Sequence, residues 1–194
     1  MQRLCVFCGS KSGDNPVYAD VTRQLGMAIV ARGLGLVYGA GHVGLMGVLA
    51  DAVLQAGGSV IGVIPRALVD KELAHGGLTE MHVVDSMHER KAVMADLADG
   101  FMALPGAYGT ADELFEILTW AQLGLHAKPI GLLNVTGFFD PLLAWINTTV
   151  REGFLRERHR TLLMQSSDPV ELLDRLIAAQ PAPVTPKWID DADR

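Results

Sequence analysis

The sequence predicts an α/β fold: a single domain with a Rossmann-like, doubly wound parallel sheet and helices on both of its faces. Short apolar segments alternate along the chain with segments that carry apolar residues at helical spacing. The short segments are apolar along most of their length, which is typical of parallel strands covered on both faces. Because there is no internal repeat and no low-complexity linker, residues 1–180 are expected to form one domain, followed by a loosely ordered tail over residues 181–194.

Each predicted strand is a short apolar run, and each predicted helix between them has an amphipathic pattern. In chain order the strands cover residues 4–10, 34–41, 59–65, 79–85, 100–106 and 128–135. The helices cover residues 16–32, 44–58, 86–99, 111–126, 139–152 and 168–179. Pro16 suits the start of the first helix, Gly57 and Gly58 suit the end of the second, and Ser86 with Glu89 forms a capping box for the third.

The composition limits the kinds of partner. The chain has 194 residues and a formal net charge of −6, so it lacks the basic surface typical of nucleic-acid binding. No apolar run approaches the roughly 20 residues that span a bilayer, and the first residues lack the pattern of a signal peptide. We therefore expect a cytoplasmic protein without a nucleic-acid or membrane partner. A small anionic ligand is compatible with the charge because it needs only a local pocket.

The two cysteines, Cys5 and Cys8, have the C-x-x-C spacing of some zinc and redox sites. They lie within an apolar strand, where residues three apart face opposite sides of the sheet. They cannot hold one metal ion together, and no second cysteine pair exists to complete a zinc site. We therefore interpret both as core residues and predict no metal site.

Glycines collect where the predicted strands end, which is the edge at which such sheets bind ligands. Gly9 and Ser10 follow the first strand, residues 38–47 (YGAGHVGLMG) follow the second, and residues 105–110 (PGAYGT) follow the fifth. Turns alone explain one glycine per loop, but they explain these clusters less well, so the pattern favours a binding site.

The loop after the second strand also carries a dinucleotide-binding pattern. Gly39, Gly41 and Gly44 spell G-x-G-x-x-G, but this pattern follows the second strand rather than the first and lacks the acidic residue about 20 positions later that binds a ribose. A nicotinamide cofactor is therefore disfavoured, and a smaller phosphate-bearing ligand fits the sequence better.

The loop at residues 105–110 leads into a helix whose first turn, as predicted, contains Asp112 and Glu113. A glycine-rich turn before a helix binds anions, so acidic residues there need an explanation. One explanation is a capping box of Thr110 and Glu113. The other is that the amides of Gly109 and Thr110 bind a phosphate while Glu113 acts on the attached sugar, since a carboxylate stabilises an oxocarbenium-like state and activates water.

Arg90 and Lys91 begin the helix after the fourth strand, at the same edge of the sheet. Cations at a helix N-terminus oppose the helix dipole, so this placement is costly unless an anion lies there. A solvated pair of charges, with Glu89 as a partner, is the simpler alternative. The fixed fork of a guanidinium favours a role for Arg90 in orienting a carboxylate or a phosphate.

These motifs resemble the Lonely Guy (LOG) family of cytokinin riboside 5′-monophosphate phosphoribohydrolases, long labelled lysine decarboxylases. The family pattern P-G-G-x-G-T-x-x-E reads PGAYGTADE at residues 105–113, and M-x-x-R-K reads MHERK at residues 87–91. The glycine loop Y-G-G-G-x-x-G-L-M-G reads YGAGHVGLMG, and the similarity extends to PKW at residues 186–188.

The resemblance implies an N-glycosidase without a cofactor that releases a purine base and ribose 5-phosphate from a nucleoside 5′-monophosphate. The substrate it favours is an N6-modified, cytokinin-type AMP, with AMP itself as the alternative. The resemblance also implies Glu113 and Arg90 as the catalytic pair, and a homodimer with sites near the interface. The substrate-binding residues it implies are Gly9, Ser10, Gly39, Gly41, Gly44, Met87, Lys91, Gly106, Ala107, Tyr108, Gly109 and Thr110. Lys91 and Met87 are expected beside the base and sugar.

Two residues depart from the family pattern: Ala40 and Ala107 each replace a glycine. If either position needs a positive φ, alanine costs on the order of 1–2 kcal/mol there. These departures keep open a second hypothesis, a nucleotide- or cofactor-binding module of this fold without catalysis. A lysine decarboxylase is disfavoured because that chemistry generally needs a Schiff-base lysine, and Lys91 is better explained as an anion contact.

Overall fold

The computed structural model describes residues 1–69 and 74–179, so the predicted tail and the PKW segment lie outside the described residues. Seven strands form one parallel sheet in the order β4-β3-β2-β1-β5-β6-β7. Their bounds are β1 Arg3–Phe7, β2 Gly35–Tyr38, β3 Val60–Pro65, β4 Glu80–Val84, β5 Gly100–Ala103, β6 Ile130–Leu133 and β7 Leu163–Ser166. The predicted fold class is confirmed.

Helices connect the strands and cover both faces of the sheet. Their bounds are α1 Val17–Ala31, α2 Gly44–Gln55, α3 Arg66–Val69, α4 Met87–Leu97, α5 Tyr108–Gln122, α6 Asp140–Arg151, α7 Glu157–Arg160 and α8 Pro169–Ala178, with a short 3₁₀ turn at Val135–Gly137. One apolar core lies between the sheet and α1, α2 and α8, and a second lies between the sheet and α4, α5 and α6. None of the helices in the described part of the chain has the length and apolar character needed to cross a membrane.

The strand order reverses direction between β1 and β5. The chain builds outward from β1 through β2, β3 and β4, and then returns to place β5 on the other side of β1. The loops after β1 and β5 consequently diverge to opposite faces, which opens a crevice at the carboxyl ends of these two strands. This topology positions the glycine-rich loops predicted from the sequence next to one another.

The alternation of side chains along β1 agrees with the interpretation of the cysteines. Cys5 packs in the core beneath α4 and α5, whereas Cys8 packs in the core on the opposite face. Both thiols are buried and free. In the described part of the chain, no group of three or more His, Cys, Asp or Glu side chains could hold a metal ion.

Two sequence predictions about local structure are corrected. Helix α5 begins at Tyr108 with Ala107 as its N-cap, so Thr110 is not an N-cap and the capping box with Glu113 does not form. Strand β7 was not predicted, because its four residues are only partly buried at the edge of the sheet. The capping interaction at α4 is confirmed, since Ser86 Oγ accepts a hydrogen bond from the Glu89 N–H at 3.1 Å.

Candidate active site

A cavity of about 860 Å³ opens at the carboxyl edge of the sheet. Its walls are the loops after β1, β2 and β5, the end of β3, and the first residues of α1 and α5. This volume lies within the range of roughly 300–1,000 Å³ that is usual for small-molecule sites. The cavity therefore lies at the point where the strand order reverses, as expected for this class of sheet.

The N-terminus of α5 points its unpaired backbone amides into this cavity. Ala107 caps the helix without a side-chain hydrogen bond, and no acidic residue lies in the first turn. The first N–H groups of a helix have no partner within the helix and attract anions through the helix dipole. Gly106, Gly109 and Thr110 line the cavity at this point, which therefore suits a phosphate group.

The glycines of the site permit close contact between loops. The Gly9 N–H donates to the Pro105 carbonyl at 3.0 Å and joins the loops after β1 and β5. A Cβ at Gly106 would lie 2.1 Å from Thr110 Oγ1, and one at Gly44, where φ is +63°, would lie 2.3 Å from the carbonyl carbon of Ser10. The substitution of either glycine therefore forces backbone or hydroxyl groups apart.

Arg90 is buried beneath the loop after β2 and is held there by backbone carbonyls. Its Nε donates to the Val63 carbonyl and its Nη2 to the Gly39 carbonyl, each at 3.0 Å. A Cβ at Gly39 would lie 1.7 Å from Nη2, so only glycine leaves room for the guanidinium. The remaining nitrogen, Nη1, faces Glu113 Oε1 at 3.8 Å, which is too long for a hydrogen bond.

Glu113 is the buried carboxylate of the site, with only 8% of the residue exposed. Burial raises the pKa of Glu113 to about 7, while the nearby Arg90 guanidinium partly offsets this rise. Because Arg90 makes its hydrogen bonds elsewhere, it stabilises the carboxylate only through its charge. Glu113 can therefore exchange a proton near neutral pH, which is the property of a general base or acid.

Lys91 points away from the cavity and towards α5. Its Nζ lies 3.0 Å from Asp112 Oδ2 and 3.1 Å from Glu116 Oε2. The acidic pair Asp112–Glu113 thus lies opposite the basic pair Arg90–Lys91, and both acids lie in the second turn of α5 rather than the first. This arrangement explains why the two acids do not oppose an anion at the N-terminus of α5.

The cavity brings together most of the residues predicted for the site. Those that line it are Gly9, Ser10, Gly39, Gly41, Arg90, Gly106, Ala107, Gly109, Thr110 and Glu113. Four others do not line it: Gly44 packs against the loop after β1, Lys91 contacts α5, and Met87 and Tyr108 lie on the surface of this chain. The expected place of Lys91 and Met87 beside base and sugar is not seen in the single chain.

The two alanines that replace motif glycines differ in their backbone. Ala40 has φ of 58°, so it occupies the left-handed region that favours glycine. Ala107 has φ of −110°, which alanine adopts without this strain. The alanine in the proposed phosphate loop is therefore compatible with the backbone of that loop.

The structure adds wall residues that the sequence did not indicate. Tyr18 and Phe138 both line the cavity, with ring centroids 5.8 Å apart in an edge-to-face arrangement. Met46 and Leu68 form an apolar region of the wall. These residues belong to helices and loops far apart in the chain, and no local motif marks them, so only the fold could identify them.

Comparisons with known proteins show which proteins this chain is similar to. A family model described as "Possible lysine decarboxylase" matches residues 46–176. The protein named "Cytokinin riboside 5'-monophosphate phosphoribohydrolase LOG7" from Arabidopsis thaliana is 46% identical over 196 residues, covering 100% of this chain and 90% of the relative. The protein of the same activity named LOG from Oryza sativa subsp. japonica is 49% identical over 175 residues, covering 90% of this chain and 72% of the relative.

A solved structure with the same fold is the molybdenum cofactor carrier protein from Chlamydomonas reinhardtii. Its TM-score is 0.69 at 21% sequence identity, with coverage of 92% of this chain and 99% of that chain. At this identity the likeness shows the fold alone.

We predict that Gly39→Ala lowers the free energy of unfolding by about 2–4 kcal/mol. The added Cβ would displace the buried guanidinium from its two carbonyl acceptors, and a buried charge without partners is costly. Denaturant unfolding measures the effect. Gly109→Ala is the matched control, because its Cβ meets nothing within 4 Å, and it should not destabilise the protein. Equal stability of the two variants would contradict the role assigned to Gly39.

The pKa of Glu113 predicts how stability depends on pH. Glutamate in an unfolded chain has a pKa of about 4.3, below the value of about 7 in the folded protein. Between these values the folded state holds the extra proton, so the stability that this group contributes is full below pH 4 and declines as pH rises to 7. The decline between pH 4 and pH 7 should be roughly 3 kcal/mol.

Glu113→Gln removes this titration and provides the measurement. The free energy of unfolding of the variant minus that of the unsubstituted protein should increase across the same pH window and stay constant below it. Urea unfolding at several pH values gives both curves. A difference that stays constant from pH 4 to pH 8 would show that the carboxyl titrates normally.

Proposed function

The chain belongs to the LOG family of cytokinin riboside 5′-monophosphate phosphoribohydrolases, and from this membership we propose that it hydrolyses the N-glycosidic bond of a cytokinin-type nucleoside 5′-monophosphate. The products are the free N6-modified adenine and ribose 5-phosphate. The observation that carries the proposal is a buried carboxylate, Glu113, that titrates near neutral pH one helical turn beyond an uncapped helix N-terminus. This is the activity that the sequence predicted.

The spacing along α5 matches the dimensions of a ribose 5-phosphate. Gly109 lies among the amides that suit the phosphate, and Glu113 is four residues further along the helix. Four residues correspond to a rise of about 6 Å, which is comparable with the separation of the 5′-phosphorus and the anomeric carbon across one ribose ring. A phosphate bound at the N-terminus of α5 would therefore place the anomeric carbon near the carboxylate.

In the proposed reaction Glu113 acts as its carboxylate. The bond between the anomeric carbon and the base nitrogen breaks, its electron pair leaves with the base, and the carboxylate stabilises the oxocarbenium-like sugar. Glu113 accepts the proton of the attacking water as the new carbon–oxygen bond forms, and the departing base anion takes up a proton from solvent to give the neutral free base. Binding of the phosphate holds the sugar in place for this step.

Arg90 is the second proposed catalytic residue. With two of its nitrogens bound to carbonyls, it cannot rotate, so Nη1 stays directed at Glu113. It can orient the carboxylate or contact the substrate phosphate without forming a tight ion pair, which would lower the basicity of Glu113.

Glu80, Asp85 and Glu116 are acids that could protonate the leaving base, but the structure separates all three from the cavity. Glu80 lies 2.8 Å from His82 on the edge strand β4, and Glu116 lies against Lys91. Neither of them, nor Asp85, lines the cavity. We therefore assign the leaving-group proton to none of these three acids.

Two alternative activities find less support at this site. A lysine decarboxylase that uses a Schiff base needs an unprotonated lysine, but the hydrogen bonds that Lys91 donates to Asp112 and Glu116 outweigh desolvation and raise its pKa. A binding module without catalysis has the right cavity, yet it has no use for a buried carboxylate that titrates near pH 7. The hydrolase accounts for both the cavity and Glu113.

The proposal also covers the oligomeric state and the cellular location of the enzyme. We propose a homodimer, as the family resemblance implies, because Met87 and Tyr108 are exposed beside the cavity where a second subunit would cover them. We propose a cytoplasmic location because nucleoside monophosphates are charged and are retained inside cells. The partner is then a small nucleotide, and neither nucleic acid nor a membrane is expected.

Removing the carboxylate should abolish base release. We expect Glu113→Gln to lower kcat by at least about 100-fold, because the general base and the charge that stabilises the sugar cation are both lost. Chromatography of isopentenyl-AMP reactions measures the free base. Glu80→Gln is the control, since this carboxylate lies on β4 outside the cavity, and it should retain activity. Persistent release by Glu113→Gln would refute the assignment.

The 5′-phosphate should determine substrate choice. We expect kcat/KM for isopentenyladenosine to be at least about 100-fold lower than for isopentenyl-AMP, since the amides of α5 would have no anion to bind. Steady-state kinetics with both compounds tests this. Gly106→Ala should reduce the preference, because its Cβ would displace Thr110. Similar rates for both compounds in the unsubstituted enzyme would place the phosphate site elsewhere.

A further inference from the structure

Lys91 occupies an unusual place for a residue expected at the substrate. Its ammonium group is buried and faces two carboxylates of α5 rather than the cavity. These two residues, Asp112 and Glu116, lie immediately before Glu113 and three residues after it. One lysine of α4 therefore engages both acidic neighbours of the carboxylate that the proposed function requires.

The charges around Glu113 explain why the contact of Lys91 with Asp112 and Glu116 is important. Asp112 and Glu116 on its own helix disfavour its negative charge, and Arg90 and Lys91 on α4 favour it. The thiols of Cys5 on β1 and of Cys8 directly after it also interact with Glu113, but burial raises the pKa of both, so they remain uncharged. Without Lys91, the three carboxylates within residues 112–116 of α5 would face the positive charge of Arg90 alone among the two cations of α4.

The contacts of Lys91 also connect two helices, α4 and α5. Arg90 Nη1 and Glu113 Oε1 are 3.8 Å apart, beyond hydrogen-bond distance, so this pair does not hold α4 against α5. Lys91 makes the short contacts, at 3.0 and 3.1 Å, from the neighbouring position of α4. Lys91 thus makes the short polar contacts between the two helices that carry the catalytic pair.

We propose that Lys91 is a positioning residue: by bridging Asp112 and Glu116 it fixes α5 against α4 and neutralises the two carboxylates on either side of Glu113. This inference rests on the proposed function for its catalytic meaning. Its electrostatic part concerns the folded protein alone and can be measured without substrate. It differs from the role beside the base and sugar that the family resemblance implies for this residue.

The test follows the titration of the Glu113 carboxyl by ¹³C NMR, with the signal assigned by its loss in Glu113→Gln. In Lys91→Met the midpoint should move upward by about 1 pH unit, because two carboxylates lose their counter-charge. Lys91→Arg keeps the charge and should retain the original midpoint. The control Lys128→Met removes a partly buried lysine that donates to the Ala95 carbonyl, and it should leave the midpoint unchanged.

A triple variant separates charge from packing. Lys91→Met combined with Asp112→Asn and Glu116→Gln removes the lysine together with the charges that it neutralises, so the midpoint should return towards its original value. An unchanged midpoint in folded Lys91→Met, or a shift that persists in the triple variant, would overturn the proposal.

Kinetics then connects the titration to turnover. The acid limb of the pH profile of kcat/KM, which reports the free enzyme, should move upward with the NMR midpoint in Lys91→Met, with kcat/KM at pH 7 about fivefold lower and recovering at higher pH. If the midpoint moves but the limb does not, the positioning role is overturned while the charge effect stands. If the unsubstituted protein releases no base, the proposed function fails, and the NMR result still decides the charge effect.

Discussion

The site depends on a guanidinium that is fixed by backbone rather than by the carboxylate it faces. Arg90 gives its hydrogen bonds to carbonyls of β3 and of the loop after β2, so the sheet itself sets its position. Glu113 consequently lies near a positive charge without being hydrogen-bonded to it. A tight buried ion pair would keep the carboxylate ionised and unreactive, whereas burial alone would keep it protonated. With 3.8 Å between Arg90 Nη1 and Glu113 Oε1, the pKa of the carboxyl lies between these two extremes, at about 7.

Glycine makes this arrangement physically possible. Gly39 leaves the space that the guanidinium occupies, and Gly106 leaves the space that brings the loop after β5 against that after β1. Both requirements come from close approach, since neither residue has a positive φ. The same glycine-rich loops therefore serve two purposes: they admit the Arg90 side chain on one side of the cavity and expose the amides of α5 on the other.

The fold and the location of the site could be predicted because they follow from local patterns. Apolar runs and glycine clusters identified the strands and their ligand-binding ends, and the motif identified Glu113 and Arg90 as cavity residues. The start of α5 and the role of Lys91 could not be predicted, because both depend on how α4 and α5 meet. The acidic residues near the start of α5 are compatible with a capping box and with an ion pair to another helix, so the sequence does not distinguish the two. Tyr18 and Phe138 were missed because residues 120 positions apart share no local pattern.

The energetic cost of the site argues for catalysis over simple binding. This fold also occurs in a carrier protein, so the fold does not determine the activity. A carrier gains nothing from a buried carboxylate whose pKa lies near 7, because keeping it ionised lowers stability at the pH where it works. A glycosidase needs that carboxylate where the sugar cation develops, and water there would screen its charge. The chain accepts the destabilisation at one position, and the two positive charges of Arg90 and Lys91 limit it, which is the pattern expected when function rather than stability selects a residue.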